Sequence, residues 1–457
     1  MSGTRKLIKG GTILSVDPQI GDLPVGDLLI EDGRIAAVAP SLDAADAEVI
    51  DAHGMIVMPG LIDTHRHLWQ GALRQIAADW TLTEYLGRML GGFGPVFTPD
   101  DVRDGNFLGC LEVLDAGITT VFDWSHIMNS PEHADAAIDA LKASGVRAVF
   151  GHGTPCTDLI AWYVSSELRH PDDVRRIAAE YFSSVDQLMT LALSIRGPEL
   201  ATIDATADDI ALARDLGVWS SMHIGAGTLG KQHGVSQLHE RGMLGEDLIF
   251  VHCSTCSDEE LKLIADSGGK ASVSPRVEMA MGHGYPATGR LLEAGIRPSL
   301  SIDVVSGVSG SLFGEMRGML EAERGRRNRA YLERWEDAPP LALTTRDAVE
   351  FATIEGARTL GLEDRIGSLT PGKQADVILL DVAGPGLGLL SHLPAAVTFS
   401  DTANVDTVLV NGEIRKRNGR LTNVDVARAR SRAEASRDRL FAAAGIPDGA
   451  MPIAINK

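Results

Sequence analysis

His65 and His67 lie two residues apart in DTHRH, directly after the apolar run IVMPGLI. Side chains alternate along an extended strand, so both imidazoles leave the backbone on the same side and make half of a metal site. An HxH pair alone also arises by chance. Three further metal-competent residues end other apolar runs: His223 in VWSSMHIGAG, His252 in LIFVHCS and Asp303 in RPSLSIDVV. Imidazole and carboxylate ligands with one position open to water suit a single zinc ion, and the same set accepts iron(II) or manganese(II). The candidate ligands are His65, His67, His223 and Asp303, with His252 beside the bound water. Such an ion would bring the pKa of that water towards neutrality, while Asp303 or His252 takes its proton.

These residues need a scaffold that brings strand ends together. Eight strand-like runs alternate with mostly helical connections: IVMPGLIDTHRH, TTVFDW, RAVFGHG, LMTLALSIRG, VWSSMHIGAG, LIFVHCS, KASVSP and RPSLSIDVV. Several of the helical runs, ADAAIDALKASG and DEELKLIADSG among them, end in a glycine suited to a helix C-terminus. An open doubly wound sheet shows the same alternation. A count of eight, with polar residues gathered at the strand C-terminal ends, favours a (β/α)8 barrel. Short strands with Asp-Gly and Asn-Gly turns occupy the first 55 or so residues and recur in ADVILLD and VDTVLVNGEIRK near the other end. The α/β chain is therefore expected to carry a TIM-like barrel over 58–372 and a small β-sandwich built from 1–57 and 373–425. A C-terminal helix and tail would occupy 426–457. TTRDAVEFATIEGARTLGL reads as one amphipathic helix and SPRVEMAMGHG as a loop.

Composition narrows the function classes. With 62 acidic against 42 basic residues, the net charge of −20 repels nucleic acid and anionic membrane surfaces. No run approaches the roughly 18 apolar residues of a membrane span, and MSGTRKLIKGG lacks a secretory core, so the expected compartment is the cytoplasm. Four cysteines make no disulfide framework, and the lone CxxC of Cys253 and Cys256 is expected to be structural. The expected partner is a small-molecule substrate, and the expected assembly a homo-oligomer.

PGLIDTHRH, the His252–Cys253 pair, the SID around Asp303 and the tail GSLTPGKQADVILLD together resemble the amidohydrolase superfamily. The nearest branch is that of the cytosine, guanine and S-adenosylhomocysteine deaminases and the triazine hydrolases. EVLDAGITTVFD and ASGVRAV fit the same branch, and the resemblance covers nearly the whole chain. It implies one catalytic metal on His65, His67, His223 and Asp303, with His252 as a polarising base. Relatives with two metals bridge them by a modified lysine on the fourth strand, and LMTLALSIRG has none.

The chain departs from that branch at two places. The fifth-strand motif resembles H-x-x-E, but Ala226 stands at the position of the proton-shuttling glutamate. The seventh strand keeps Ser274 and Pro275 but adds Arg276, Glu278 and His283, of which Glu278 is the candidate replacement acid, or else a loop carboxylate paired with Arg276. Further substrate-contact candidates are Gln70, Trp80, Trp124 and His126, along with Arg276 and His283; His152, Lys231 and His233 are weaker ones. A tryptophan in such a pocket could stack on a flat ring or simply belong to the core. The expected activity is metal-dependent hydrolysis of a C–N bond in a small nitrogen heterocycle. The missing glutamate keeps a metal-dependent lyase step, such as decarboxylation or dehydration, as the alternative.

Overall fold

A computed structural model describes residues 5–445. Eight parallel strands run in sequence order around a barrel: Leu61–Arg66, Ile118–Ser125, Arg147–His152, Met189–Ile195, Trp219–Ile224, Leu248–His252, Lys270–Val273 and Ser299–Leu300. The last closes on the first: the Asp303 N–H donates to the His65 carbonyl at 2.9 Å and the His67 N–H to the Asp303 carbonyl at 2.9 Å. Every residue of Leu61–Arg66 and of Ile118–Ser125 is buried, as strands covered on both faces must be. Beneath the strand ends the interior is narrow and hydroxyl-rich. Thr64 Oγ1 meets Ser272 Oγ at 2.7 Å and Ser299 Oγ at 2.8 Å, and Ser301 Oγ meets those of Ser272 and Ser274.

The barrel helices follow local rules. Thr98 and Asp101 form a reciprocal cap at the start of Pro99–Asp115, and Ser257 with Glu260 does the same for Asp258–Ser267. Pro131–Ser144 and Ile203–Leu216 end on left-handed Gly145 and Gly217.

A second sheet of nine strands joins the two ends of the chain. Five strands lie within residues 5–59 and four within 377–421, and Met55–Pro59 pairs antiparallel with Val377–Asp381. It has its own core, including Ile8, Ile30, Val57, Val377 and Leu409. Arg147 on the third barrel strand ties the sheet to the barrel: its Nε and Nη2 donate to the Asp376 carboxylate at 2.7 and 3.0 Å, with both side chains almost fully buried.

Three segments differ from the sequence expectation. The run expected as one helix after residue 343 is two, Thr345–Phe351 and Ile354–Thr359. Thr353 breaks it: its backbone is non-helical and its hydroxyl donates to the Val349 carbonyl at 2.7 Å, a local bond that competes with the helix ladder. The 21-residue helix Leu312–Leu332 was not anticipated, because glycines at 314, 318 and 325 blur its apolar stripe. Two of these glycines have a packing reason, since a β-carbon at 314 or 318 would lie 3.0 Å from the Arg276 side chain. The supposed loop after Ser274 begins as a helical turn, Pro275–Ala280, with proline at its first position. The expected C-terminal helix is Val426–Ala444, and the expected tail lies outside the described residues.

Candidate metal centre and cavity

Strand ends converge at one mouth of the barrel. Ligand atoms of His65, His67, His223 and Asp303 all lie within 4.8 Å of one another. Asp303 Oδ1 is 3.3 Å from Nε2 of both His65 and His67, and the Nε2 atoms of His65 and His223 are 3.2 Å apart. Three imidazole nitrogens and a carboxylate oxygen turned towards one point are a natural arrangement around a cation. His67 Nδ1–H donates to the Trp124 carbonyl at 2.7 Å, which leaves the Nε2 lone pair aimed at the same point. Burial pulls the His65 imidazole down to about 3 and that of His223 well below its usual value, so both are neutral and able to ligate. Burial alone would raise Asp303, but the closely facing rings of His65 and His67 hold its carboxyl well below the usual range. Three imidazoles and one carboxylate fit a divalent metal.

His252 and Glu278 form a second layer of this cluster. His252 Nδ1 lies 3.2 Å from Glu278 Oε1, and its Nε2 is 3.8 Å from Asp303 Oδ2. Burial lowers the His252 pKa, but the Glu278 hydrogen bond and the Asp303 charge outweigh it, and the net shift is upward. Burial raises Glu278 in turn. The φ angles of His252 and Asp303 are +79° and +67°, a region that non-glycine residues rarely occupy and that here turns both side chains inward at the strand ends.

Above the cluster is a cavity. His67, His223, His252 and Asp303 form its polar floor, with His126 and His283 on the walls. The remaining lining is largely apolar and includes Leu82, Leu86, Leu90, Leu200, Leu229 and Met281. Tyr85 and Tyr163 also line it, with their hydroxyls paired to Gln70 Nε2 and Thr154 Oγ1. Leu82, Leu86 and Leu90 come from Leu82–Tyr85 and the π-helical Leu86–Phe93, and their spacing of four in LTEYLGRML is the sequence signal for this wall.

Several candidates lie elsewhere. Gln70 sits behind the wall, donating to Tyr85 and accepting from Ser306 at 2.7 Å. Trp80 packs outside the cavity, with the Arg88 guanidinium over its ring. Trp124 lies beneath the cluster, its indole 4.3 Å from the His223 ring and its Nε1–H donating to Ser221. Arg276 points to Ser309 at 2.7 Å and lies along Leu312–Leu332, not towards Glu278, which instead accepts from the Ser274 N–H at 2.8 Å. His152 pairs with His170 at 2.9 Å, and Lys231 and His233 are exposed. Cys253 and Cys256 are buried free thiols. No helix among the described residues is long and apolar enough to cross a membrane.

The sequence pattern of the Amidohydrolase family matches residues 56–415. The chain is 30% identical over 440 residues to a 5'-deoxyadenosine deaminase of Methanothermobacter thermautotrophicus, covering 93% of this chain and 98% of that protein. It is likewise 30% identical over 427 residues to a 5-methylthioadenosine/S-adenosylhomocysteine deaminase of Symbiobacterium thermophilum, covering 90% and 93%. Among solved structures, a zinc-bound adenosine deaminase of Xanthomonas campestris aligns with a TM-score of 0.84 at 23% identity, over 96% of this chain and 99% of that one. A zinc complex of atrazine chlorohydrolase from Arthrobacter aurescens aligns at 0.82 and 24%, over 94% and 100%. At such identities the structural likeness speaks for the fold.

Proposed function

Since the chain belongs to the amidohydrolase family, we propose that it hydrolyses a carbon–nitrogen bond of a small nitrogen heterocycle, with a zinc ion held by His65, His67, His223 and Asp303. The observation that carries this reading is the convergence of those four ligand atoms at the floor of a cavity with largely apolar walls. A divalent cation bound there supplies Lewis acidity that makes water a nucleophile near neutral pH.

The chain's own groups do the rest. Asp303 Oδ2 and His252 Nε2 flank one point on the cavity side of the cluster, so either can take the proton of the attacking water. Glu278 accepts the Nδ1–H of His252, which frees Nε2 to receive that proton and stabilises the imidazolium that results. Glu278 thus acts through His252; it does not line the cavity and is not placed to protonate substrate. With alanine at 226, the proton for the departing amine comes back from His252. His126 Nδ1 accepts from the Trp69 indole at 3.3 Å, so His126 presents its Nε2–H as a donor to the substrate. The apolar walls suit a flat, weakly polar ring and exclude water around it.

The test is zinc-loaded protein assayed for ammonia or amine release from aminopurines, 5'-deoxyadenosine, pterins, aminopyrimidines and aminotriazines in oxygen-18 water. Release with one labelled oxygen in the product supports hydrolysis. Carbon dioxide or an unlabelled product indicates the lyase alternative, and no turnover despite bound zinc rejects both.

A further inference from the structure

Ala226 lines the cavity and is 4% exposed, so the fifth strand offers substrate no acid or base beyond His223. The group next to that gap is His283. Gly227, adjacent to Ala226, donates its N–H to the His283 carbonyl at 2.8 Å, and the His283 N–H donates to the Glu278 carbonyl at 2.9 Å. The backbone of His283 is therefore held on both sides, and its ring lies edge-on to His252 with centroids 4.7 Å apart. It is 3% exposed and lines the cavity, yet neither of its ring nitrogens has a hydrogen-bond partner. An imidazole always carries at least one N–H, and burying that donor unpaired is unfavourable unless a ligand completes it.

Resting on the hydrolase reading above, we propose that His283 donates an N–H hydrogen bond to a ring nitrogen of the substrate, in the place left by the alanine at 226. Addition of an oxygen nucleophile to a C=N carbon moves electron density onto the adjacent nitrogen. A neutral imidazole N–H beside that nitrogen stabilises the density without giving up its proton. Burial keeps His283 neutral, with its pKa pulled down to about 3. The substrate class follows: an azine or fused azine whose attacked carbon adjoins an unprotonated ring nitrogen.

The experiment reads binding, so it does not depend on turnover. Zinc-loaded wild type, His283→Phe and His283→Gln are titrated calorimetrically with melamine and with triaminobenzene, its all-carbon isostere; melamine presents a ring nitrogen in each of its three equivalent orientations. Wild type is expected to bind melamine about tenfold more tightly than triaminobenzene, the worth of one neutral hydrogen bond. His283→Phe is expected to lose that preference at unchanged zinc content, and His283→Gln, which keeps an N–H donor, to retain part of it. A preference that survives in His283→Phe, or is absent from wild type, overturns the proposal. Failure to hydrolyse either compound bears on the hydrolase reading alone.

Discussion

Replacing Glu278 with glutamine tests the coupling between the seventh strand and the metal centre. Glu278 Oε1 accepts from both His252 Nδ1, at 3.2 Å, and the Ser274 N–H, at 2.8 Å, while Oε2 is buried without a partner. A glutamine can keep its amide oxygen at the Oε1 position and both hydrogen bonds with it. What it loses is the charge. A hydrogen bond to a charged group contributes about 1.5–3 kcal/mol against about 0.5–1.5 for a neutral one, so the imidazolium of His252 loses about 1–2 kcal/mol of stabilisation. That corresponds to a fall of about 5- to 30-fold in kcat/KM, carried by kcat. The new amide NH2 is buried at the Oε2 position with no acceptor, which costs about 1–3 kcal/mol of stability and lowers the unfolding midpoint. The assay is steady-state amine release on the best substrate of the panel, with zinc content and the urea midpoint measured on the same preparation. A glutamine variant with wild-type kcat refutes the reasoning. So does a loss of rate that tracks loss of zinc, since Glu278 would then be supporting the ligands and not the base.

Other consequences are equally direct. His223→Ala removes a ligand; because loss of a group that merely orients a ligand already costs 10- to 100-fold in metal affinity, this change is expected to cost at least about 100-fold, read by competition with a chromogenic chelator. Stripping the metal is expected to lower the unfolding midpoint and zinc to restore it, by about 4 kcal/mol at a thousandfold excess over Kd; an unchanged midpoint would mean that the cluster binds no ion. Asp376→Asn leaves Arg147 buried without its charge partner and is expected to destabilise by about 3–5 kcal/mol in urea unfolding, a loss below about 1 kcal/mol contradicting the bidentate pair. Burial raises the Glu199 carboxyl to about 7, where both its oxygens accept from the Gly225 N–H. Its folded pKa exceeds its unfolded one, so the stability it contributes is full below about 4 and is lost as pH rises through about 7. Glu199→Gln is therefore expected to gain stability relative to wild type at pH 8 compared with pH 5, and a difference independent of pH would count against a buried, raised carboxyl.

The sequence by itself determined the eight strands, the joining of the two chain ends into one sheet, and the positions from which His65, His67, His223, His252 and Asp303 reach a common mouth. All of this is local: period-2 alternation sets which side a strand residue faces, and βα alternation sets which end of each strand is shared. Tertiary structure decided the residues that follow the strand ends. Gln70, Trp80, Trp124 and Arg276 have side chains suited to a substrate, but packing turns them elsewhere: Arg276 lies along Gly314 and Gly318 of a helix some forty residues further on, and Trp124 lies under His223. His126 and His283 line the cavity, where the Trp69 indole bonds the His126 ring and the Gly227 N–H anchors the His283 backbone. A loop side chain takes its direction from neighbours far away in sequence, and no spacing rule encodes those contacts. For the same reason the sequence leaves Glu278 between a replacement acid and a loop carboxylate paired with Arg276, and in the fold it is a fully buried partner of His252.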